Sequence, residues 1–298
     1  MKLRHGNDRG KGRMRVALAV GIFAALTAST AQKRTDTSAK AKPSAGMFLV
    51  QAGDKFDVNA GTLAVRFLLN YSLDSYLMPE LSEYATFPFL QVGGGQNHLS
   101  VDQDVAYMAV TIRQERGKNF FQLTANTHHT VRRIGTNDVF RRAALSVNLS
   151  RENGPWLERG EPHDLVVTWK ILDDDLHLDM YLDGKPVGSR VYKERKAGIS
   201  AFTNDGFLSI GSTQISAATL LSYRLSKRAL TREEVAAKAP LDDAYLFNET
   251  TLGKVKKVSL PEFRAMDKSG KLDYKRGVFI GDYQIIQTSE GKGVQFSK

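Results

Sequence analysis

The stretch His163–Arg190, with the sequence HDLVVTWKILDDDLHLDMYLDGKPVGSR, decides the fold class of this chain. Its first part, from Leu165 to Trp169, is a run of β-branched and aromatic residues that is typical of a strand. Residues 175–182 alternate polar and apolar side chains, and this period of two predicts a half-buried strand. Asp183-Gly184 suits a tight turn, because glycine tolerates positive φ. The stretch therefore predicts three consecutive strands joined by short turns.

Similar runs recur on both sides of this stretch and are separated by Gly, Pro, Asn and Asp. The predicted strands are Met47–Gln51, Thr62–Leu69, Phe87–Val92, Val105–Gln114, Phe120–Thr127, Ala143–Ser150, His163–Ile171, Leu176–Leu182, Pro186–Tyr192, Phe207–Gly211 and Thr219–Ser226. Thr231–Lys238 is predicted to be helical, with Thr231 as N-cap and Glu234 completing a capping box. Many short strands with one short helix predict an all-β fold, an antiparallel two-sheet β-sandwich.

Three blocks resemble the laminin-G-like, concanavalin A-like lectin/glucanase family of jelly-roll domains. The central block is a strand ending in Thr168-Trp169, followed by L-x-L-x-x-Y-x-D-G-K over residues 176–185. DVNAGTLAVRF at 57–67 resembles the family's opening, and FLSIG at 207–211 with LLSYRLSKRALTREEV at 220–235 resembles its close. The resemblance implies a jelly-roll fold and a binding or glycan-facing role. Some members bind Ca²⁺ through acidic loop residues, but Leu221 occupies such a position here, so no clear motif supports Ca²⁺ and we expect no cofactor.

Residues 1–31 have the composition of a secretory signal peptide. Basic residues precede an uncharged, mostly apolar run from Val16 to Ala31, which is short for a membrane span. Ser29 and Ala31 suit the small-residue positions before a cleavage site. We expect a protein that is secreted, periplasmic or on the cell surface, with no membrane association after cleavage. An uncleaved N-terminal anchor is the alternative.

The rest of the chain divides into three parts. Residues 32–46 are rich in Lys, Thr, Ser and Ala and predict a flexible leader. Residues 47–239 are predicted to form the jelly-roll domain. Residues 240–298 are predicted to be a β-rich extension that packs on this domain, since so short a segment rarely builds its own core. Its strand candidates are Leu241–Phe247, Val255–Leu260, Gly277–Gln287 and Gly293–Phe296.

Charge and cysteine content limit the possible partners. The chain has 42 Lys and Arg against 32 Asp and Glu, a net charge of +10, and no cysteine. Residues 1–31 hold six of the basic residues and one acid, so their removal leaves 36 against 31, a net +5. This mild excess favours an acidic glycan or anionic surface, and no motif supports nucleic acid. Eukaryotic laminin-G domains usually carry a disulfide, so the lack of cysteine favours a bacterial exported protein.

Two acidic groups are candidates for metal binding or catalysis. Asp173, Asp174 and Asp175 fall between two strands, where aspartate favours turns, and three adjacent residues cannot all converge on one ion. Asp179 and Asp183 share one strand face with Asp175, but that strand lacks the Glu residues that related jelly-roll glycosidases use. We therefore expect a turn and a solvated strand face, with no metal ligand and no catalytic residue in either.

The candidate ligand-binding residues lie on polar faces of two neighbouring predicted strands. Tyr107 and Arg113 alternate with apolar residues on the first strand, and Gln122 and Asn126 do so on the second, which continues to His128. Arginine, amide and aromatic side chains suit sugar hydroxyls and uronate carboxylates. Alternation does not distinguish a concave ligand-binding face from an ordinary convex surface.

We therefore predict a non-catalytic exported domain that binds a glycan or an extracellular protein through this face or its loops. Polysaccharide lyases with this kind of fold use a Tyr/His pair, with Arg or Gln neutralising the carboxylate. The alternative is accordingly a polysaccharide lyase or glycoside hydrolase acting on an acidic polysaccharide. Its active-site groups would be Tyr107, Arg113, Gln122 and His128. A second alternative is a cell-surface structural module. If a glycan binds, we expect an acidic one, because Arg113 can form paired hydrogen bonds with a carboxylate.

The predicted signal peptide gives a direct prediction about the exported protein. Because Ser29 and Ala31 suit a cleavage site, we expect the mature chain to begin near Gln32. N-terminal sequencing of the protein recovered outside the cytoplasm measures this directly. A chain that still begins at Met1 would instead support the uncleaved anchor.

Overall fold

The computed structural model describes residues 46–75, 84–93, 106–126, 142–193, 207–212, 216–241, 255–259, 261–263, 265, 275 and 277–296. These residues form two sheets, one of eight and one of seven strands. A shared apolar core is built from residues of both sheets, which therefore pack face to face. The all-β two-sheet sandwich predicted from the sequence is confirmed. The predicted signal peptide, residues 1–31, lies outside the described residues, as do the predicted leader 32–46 apart from Gly46 and the predicted strand 241–247 apart from Leu241.

The strands are β1 (Met47–Gln51), β2 (Ala60–Leu69), β3 (Tyr84–Gly93), β4 (Ala106–Glu115), β5 (Lys118–Asn126), β6 (Arg142–Leu149), β7 (Pro162–Leu172), β8 (Asp175–Leu182), β9 (Lys185–Tyr192), β10 (Phe207–Gly211), β11 (Ala218–Ser226), β12 (Lys256–Val258), β13 (Val278–Ile280), β14 (Gln284–Thr288) and β15 (Gly291–Gln295). A short helix, α1 (Arg232–Ala236), follows β11. The eight-stranded sheet has the order β12-β13-β1-β10-β3-β4-β5-β6, and the seven-stranded sheet has the order β14-β15-β11-β2-β7-β8-β9.

The strands predicted between residues 47 and 226 all form, with ends within three residues of the predicted ones. The turns that join them follow local rules. Asp173 and Asp174 have φ of 50° and 67°, and Asp183 and Gly184 have φ of 52° and 76°. Two successive residues with positive φ match the twist of antiparallel strands in a two-residue hairpin. The Asp173–Asp174 turn and the Asp183-Gly184 turn are therefore both confirmed.

The interior between the sheets is aromatic and aliphatic. Phe67 of β2 packs against Phe89 of β3 and Phe121 of β5, with ring centroids 5.0 and 6.1 Å apart. Trp169 of β7 is fully buried, stacks on Phe56 at 5.5 Å and donates its indole N–H to a backbone carbonyl at 2.9 Å. Burial of these apolar faces is the dominant favourable term in such a fold.

The two sheets also meet at one edge, between β6 and β9. The Tyr192 hydroxyl donates to the Ala144 carbonyl at 2.7 Å and accepts from the Ala144 N–H at 2.8 Å. Edge strands expose unpaired backbone groups, and a side chain that pairs with them removes part of that exposure. Tyr192 therefore joins the edges of the two sheets.

The C-terminal residues add strands to both sheets. Strand β13 pairs with β1, and β15 pairs with β11. The predicted strand at 277–287 is two strands instead, because the backbone bends at Gly281, whose φ is 89°. A second apolar cluster covers the outer side of β1, opposite the shared core; its buried members are Met47, Leu49, Val258, Phe263, Val278 and Ile280.

Helix α1 is shorter than predicted, but its capping box is present. The Thr231 hydroxyl accepts from the Glu234 N–H at 3.2 Å, and the Glu234 carboxylate accepts from the Thr231 N–H at 2.7 Å. These hydrogen bonds to the charged form, together with Arg228, lower the pKa of Glu234. Val235 of the helix packs over the outer face of the seven-stranded sheet. Within the described part of the chain, no helix is long and apolar enough to cross a membrane.

Gly61 leaves room for the ring of Trp169 in the core. The two residues are register partners on β2 and β7, and a Cβ built on Gly61 would lie 2.1 Å from the indole ring. Because the ring is fixed by its stacking and hydrogen bond, we expect Gly61→Ala to lower the free energy of unfolding by about 1–3 kcal/mol. Chemical denaturation measures this.

Gly93→Ala is the matched control, since no heavy atom lies within 4 Å of the Cβ that it would add. Equal stability of the two variants would contradict the close packing of Trp169 on Gly61.

Candidate functional site

Three neighbouring strands, β4 to β6, bring polar side chains together on the outer face of the eight-stranded sheet. Ile112, Phe121 and Val147 are aligned across these strands and are buried in the core. Because side chains alternate along a strand, the residues on either side of this row face outward. Two outward rows result: Thr111, Gln122 and Ser146 form one, and Arg113, Phe120 and Asn148 form the other.

Hydrogen bonds connect the two rows across all three strands. Arg113 donates to the side-chain oxygen of Gln122 at 3.3 Å, and the Gln122 amide donates to the Ser146 hydroxyl at 3.1 Å. Arg113 also forms an ion pair with Glu115 at 2.9 Å. The guanidinium lies over the ring of Phe120, with 5.4 Å to the ring centroid. These contacts hold the polar groups in one arrangement before any ligand arrives.

We call Arg113, Phe120, Gln122, Ser146 and Asn148 the outer polar patch. Ser146 and Asn148 are exposed, whereas Phe120 and Gln122 are half-buried and 18% of the Arg113 side chain is exposed. The formal charge of Arg113 is balanced locally by Glu115, whose side chain is 42% exposed. The patch thus combines a guanidinium, two amides, a hydroxyl and an aromatic ring on one surface. Such groups are able to bind sugar hydroxyls and carboxylates.

The outer face of β4 and β5 is not solvated at two of its positions. Thr111 and Thr124 lie on the outer side of β4 and β5, yet they are only 3% and 4% exposed. The Thr111 hydroxyl is buried and makes no hydrogen bond to any residue that the structure describes. Sequence alternation places a side chain on a face but does not show what covers that face. Ser146 and Asn148 form the exposed part.

Of the predicted ligand-binding residues, the structure brings Arg113 and Gln122 into direct contact. Tyr107 and Asn126 belong to β4 and β5, but their side chains lie outside the described part of the structure. His128 also lies outside the described residues. The role of all five residues in ligand binding stays a prediction.

Sequence reasoning missed Phe120, Ser146 and Asn148. Ser146 and Asn148 alternate with Leu145 and Val147 on β6, so the same period of two indicated a third polar strand face. The turn between β4 and β5 was a second signal, because Gly117 suits a tight turn. In the structure Arg116 and Gly117 both have positive φ and form a two-residue hairpin. That hairpin aligns Arg113 with Phe120 and Thr111 with Gln122.

The acidic strand face of β8 is less solvated than expected. Tyr181, which lies on this face, is 6% exposed and packs against Leu230, Val235 and Leu241. Burial, with a contribution from nearby Asp179, raises the pKa of Tyr181. The solvated-face expectation is therefore wrong at Tyr181, because helix α1 and its flanking residues cover it. Among the described residues, no group of three or more His, Asp or Glu side chains is placed to hold a metal ion.

No protein-family model matches the sequence, and a comparison with curated proteins finds no match. Solved structures do match. They include the CBM40 domain of the Ruminococcus gnavus IT-sialidase bound to α2,3-sialyllactose, with 9% identity, a TM-score of 0.39 and coverage of 61% of this chain and 83% of that chain.

An alginate lyase from Klebsiella pneumoniae matches with 10% identity, a TM-score of 0.33 and coverage of 56% of this chain and 60% of that chain. A legume lectin-like domain from Entamoeba histolytica matches with 8% identity, a TM-score of 0.30 and coverage of 58% and 74%. These neighbours are concanavalin A-like jelly-roll proteins, the family that the sequence resembles. Carbohydrate-binding modules, polysaccharide lyases and glucanases share this fold, so the likeness is one of fold.

Proposed function

We propose that this chain is an exported, non-catalytic domain that binds an acidic glycan at the outer polar patch. The observation that carries the proposal is the continuous hydrogen-bonded set Arg113–Gln122–Ser146, which spans three strands on one face. Sugar recognition uses a few well-placed polar groups beside an apolar surface. The half-buried ring of Phe120 supplies that surface next to Arg113.

Electrostatics support an acidic ligand of modest affinity. Arg113 is the guanidinium of the patch, and its planar fork suits a uronate or sialate carboxylate. Glu115 already pairs with Arg113 at 2.9 Å, so a ligand carboxylate has to share the guanidinium with it. Without residues 1–31 the chain carries a net +5, which favours approach of a polyanion. We therefore expect binding that weakens as salt increases, because exposed charges are screened over about 8–10 Å at physiological strength.

Removing the Arg113 side chain tests the patch directly. We expect Arg113→Ala to weaken binding to polyuronates about tenfold, the lower end of the effect of losing a charge-assisted contact. Arg224→Ala is the matched control, since Arg224 is an exposed arginine on β11 of the other sheet. Calorimetric titration with polygalacturonate and alginate measures both. Unchanged affinity of Arg113→Ala would contradict polyuronate binding at the outer polar patch.

Glu115→Gln is the complementary variant. Loss of the competing carboxylate should raise affinity roughly two- to fivefold, in line with a surface ion pair of about 0.2–1 kcal/mol. The direction of change separates recognition of a carboxylate from mere disturbance of the fold, which would lower affinity in both variants. A Glu115→Gln variant that binds more weakly than wild type would contradict an acidic ligand.

The non-catalytic part of the proposal has its own test. Incubation with polyuronates, followed by ultraviolet absorbance of unsaturated products and by reducing-end release, should give no signal above a heat-denatured sample. A signal that disappears in Tyr107→Phe or His128→Ala would instead establish the lyase alternative. Binding in the calorimeter without turnover is the expected combination.

A further inference from the structure

A separate polar groove lies at one end of the sandwich. It is lined by residues 73–75, the β4–β5 turn at Gly117 and Lys118, and residues 148–153 with Trp156. Its volume is about 800 Å³, within the usual range of roughly 300–1,000 Å³ for small-molecule sites. We call it the end groove. It meets the outer polar patch at Asn148.

The floor of the end groove is a buried and well-paired amide network. Gln114 and Asn119 are 4% and 3% exposed, and the Gln114 amide donates to the Asn119 side chain at 3.1 Å and to the Ser75 carbonyl at 2.8 Å. Asn119 donates to the Leu73 carbonyl at 2.7 Å. Satisfied buried networks rigidify their surroundings. The floor therefore shapes the groove, and the walls have to supply ligand contacts.

Trp156 and Arg151 form one wall. The half-buried indole packs against the core, and the Arg151 guanidinium lies over its ring at 4.1 Å. Glu158 accepts from the Trp156 indole N–H at 2.9 Å and from Arg151 at 3.2 Å. An aromatic ring and a guanidinium held by one carboxylate make a preorganised surface, which lowers the entropic cost of binding.

The loop that carries this wall is held tightly. The Ser150 N–H donates to the Pro155 carbonyl at 3.1 Å, and the Gly154 N–H donates to the Ser150 carbonyl at 3.2 Å. A Cβ on Gly154 would lie 2.2 Å from the Asn148 carbonyl oxygen, so this close approach requires glycine. The groove is thus fixed in shape at the end of β6.

The remaining polar side chains of the groove are available to a ligand. The side chains of Lys118, Asn148 and Asn153 are exposed and form no hydrogen bond with another residue that the structure describes. The charged residues that line the groove balance, because Lys118 and Arg151 are matched by Asp74 and Glu152; Glu158, which pairs with Arg151, is not among the lining residues. Amides beside an aromatic wall, without net charge, suit the hydroxyls and ring faces of an uncharged sugar.

We propose that the end groove is a second binding site, and that it takes a short neutral saccharide. Trp156 gives the apolar contact, while Arg151, Asn148 and Asn153 hydrogen-bond to hydroxyls. The inference does not depend on the acidic-glycan proposal, because the groove shares only Asn148 with the outer polar patch and its lining residues carry no net charge. Binding there should be insensitive to salt, unlike binding at the outer polar patch.

Tryptophan fluorescence tests the end groove specifically. The chain has two tryptophans, and Trp169 is fully buried, so a ligand-induced change in emission must arise at Trp156. We expect titration of the whole protein with cellotriose, laminaritriose or chitotriose to give a saturable change with a Kd of about 1 mM for at least one of them. The change should be absent in Trp156→Phe, in which the emission of Trp169 still reports a native core.

Asn153→Ala should weaken this binding about two- to tenfold, the effect of one lost hydrogen bond, while retaining Trp156. Gln284→Ala is the matched control, because Gln284 is an exposed amide on the distant strand β14. Arg113→Ala and raised salt should leave the titration unchanged, so either binding proposal can be contradicted without the other. No saturable change with any of the three sugars, or a change that persists in Trp156→Phe, would overturn the proposal.

Discussion

The packing of Phe67 against Phe89 and Phe121 is the contact on which the rest of the structure depends, because it joins the two sheets through three fully buried rings. Successive side chains of a strand point to opposite faces, so burial of Phe121 turns Phe120 and Gln122 outward. A slip of one residue would exchange the core and the outer face of β5. The outer polar patch is therefore a direct consequence of how the core is filled.

Covering of the outer faces then limits where a ligand can bind. The C-terminal strands and Phe263 close the outer side of β1, and helix α1 closes part of the seven-stranded sheet around Tyr181. Each of these clusters hides apolar surface that would otherwise be exposed. Ser146 and Asn148 of β6 stay exposed, so the described residues offer accessible polar surface at that edge of the eight-stranded sheet. The outer polar patch and the end groove adjoin there because they share Asn148.

Both proposed sites contain an arginine that is paired with a carboxylate and lies over an aromatic ring. Arg113 pairs with Glu115 and lies over Phe120, while Arg151 pairs with Glu158 and lies over Trp156. The carboxylate fixes the guanidinium and reduces the loss of conformational freedom on binding, but it also competes with an anionic ligand. This balance favours specific recognition with moderate affinity.

The sequence by itself determined the strands between residues 47 and 226, two of the hairpin turns and the capping box, because alternation, the Asp-Asp and Asp-Gly turns and the Thr231–Glu234 pair act between residues close in the chain. It also identified Arg113 and Gln122 as outward polar residues. The tertiary structure alone decided that Ser146 aligns with Gln122, that Thr111 and Thr124 are buried, and that Tyr181 lies beneath helix α1. Strand alignment and the covering of a face depend on contacts between residues far apart in the chain. A local sequence pattern does not predict such contacts.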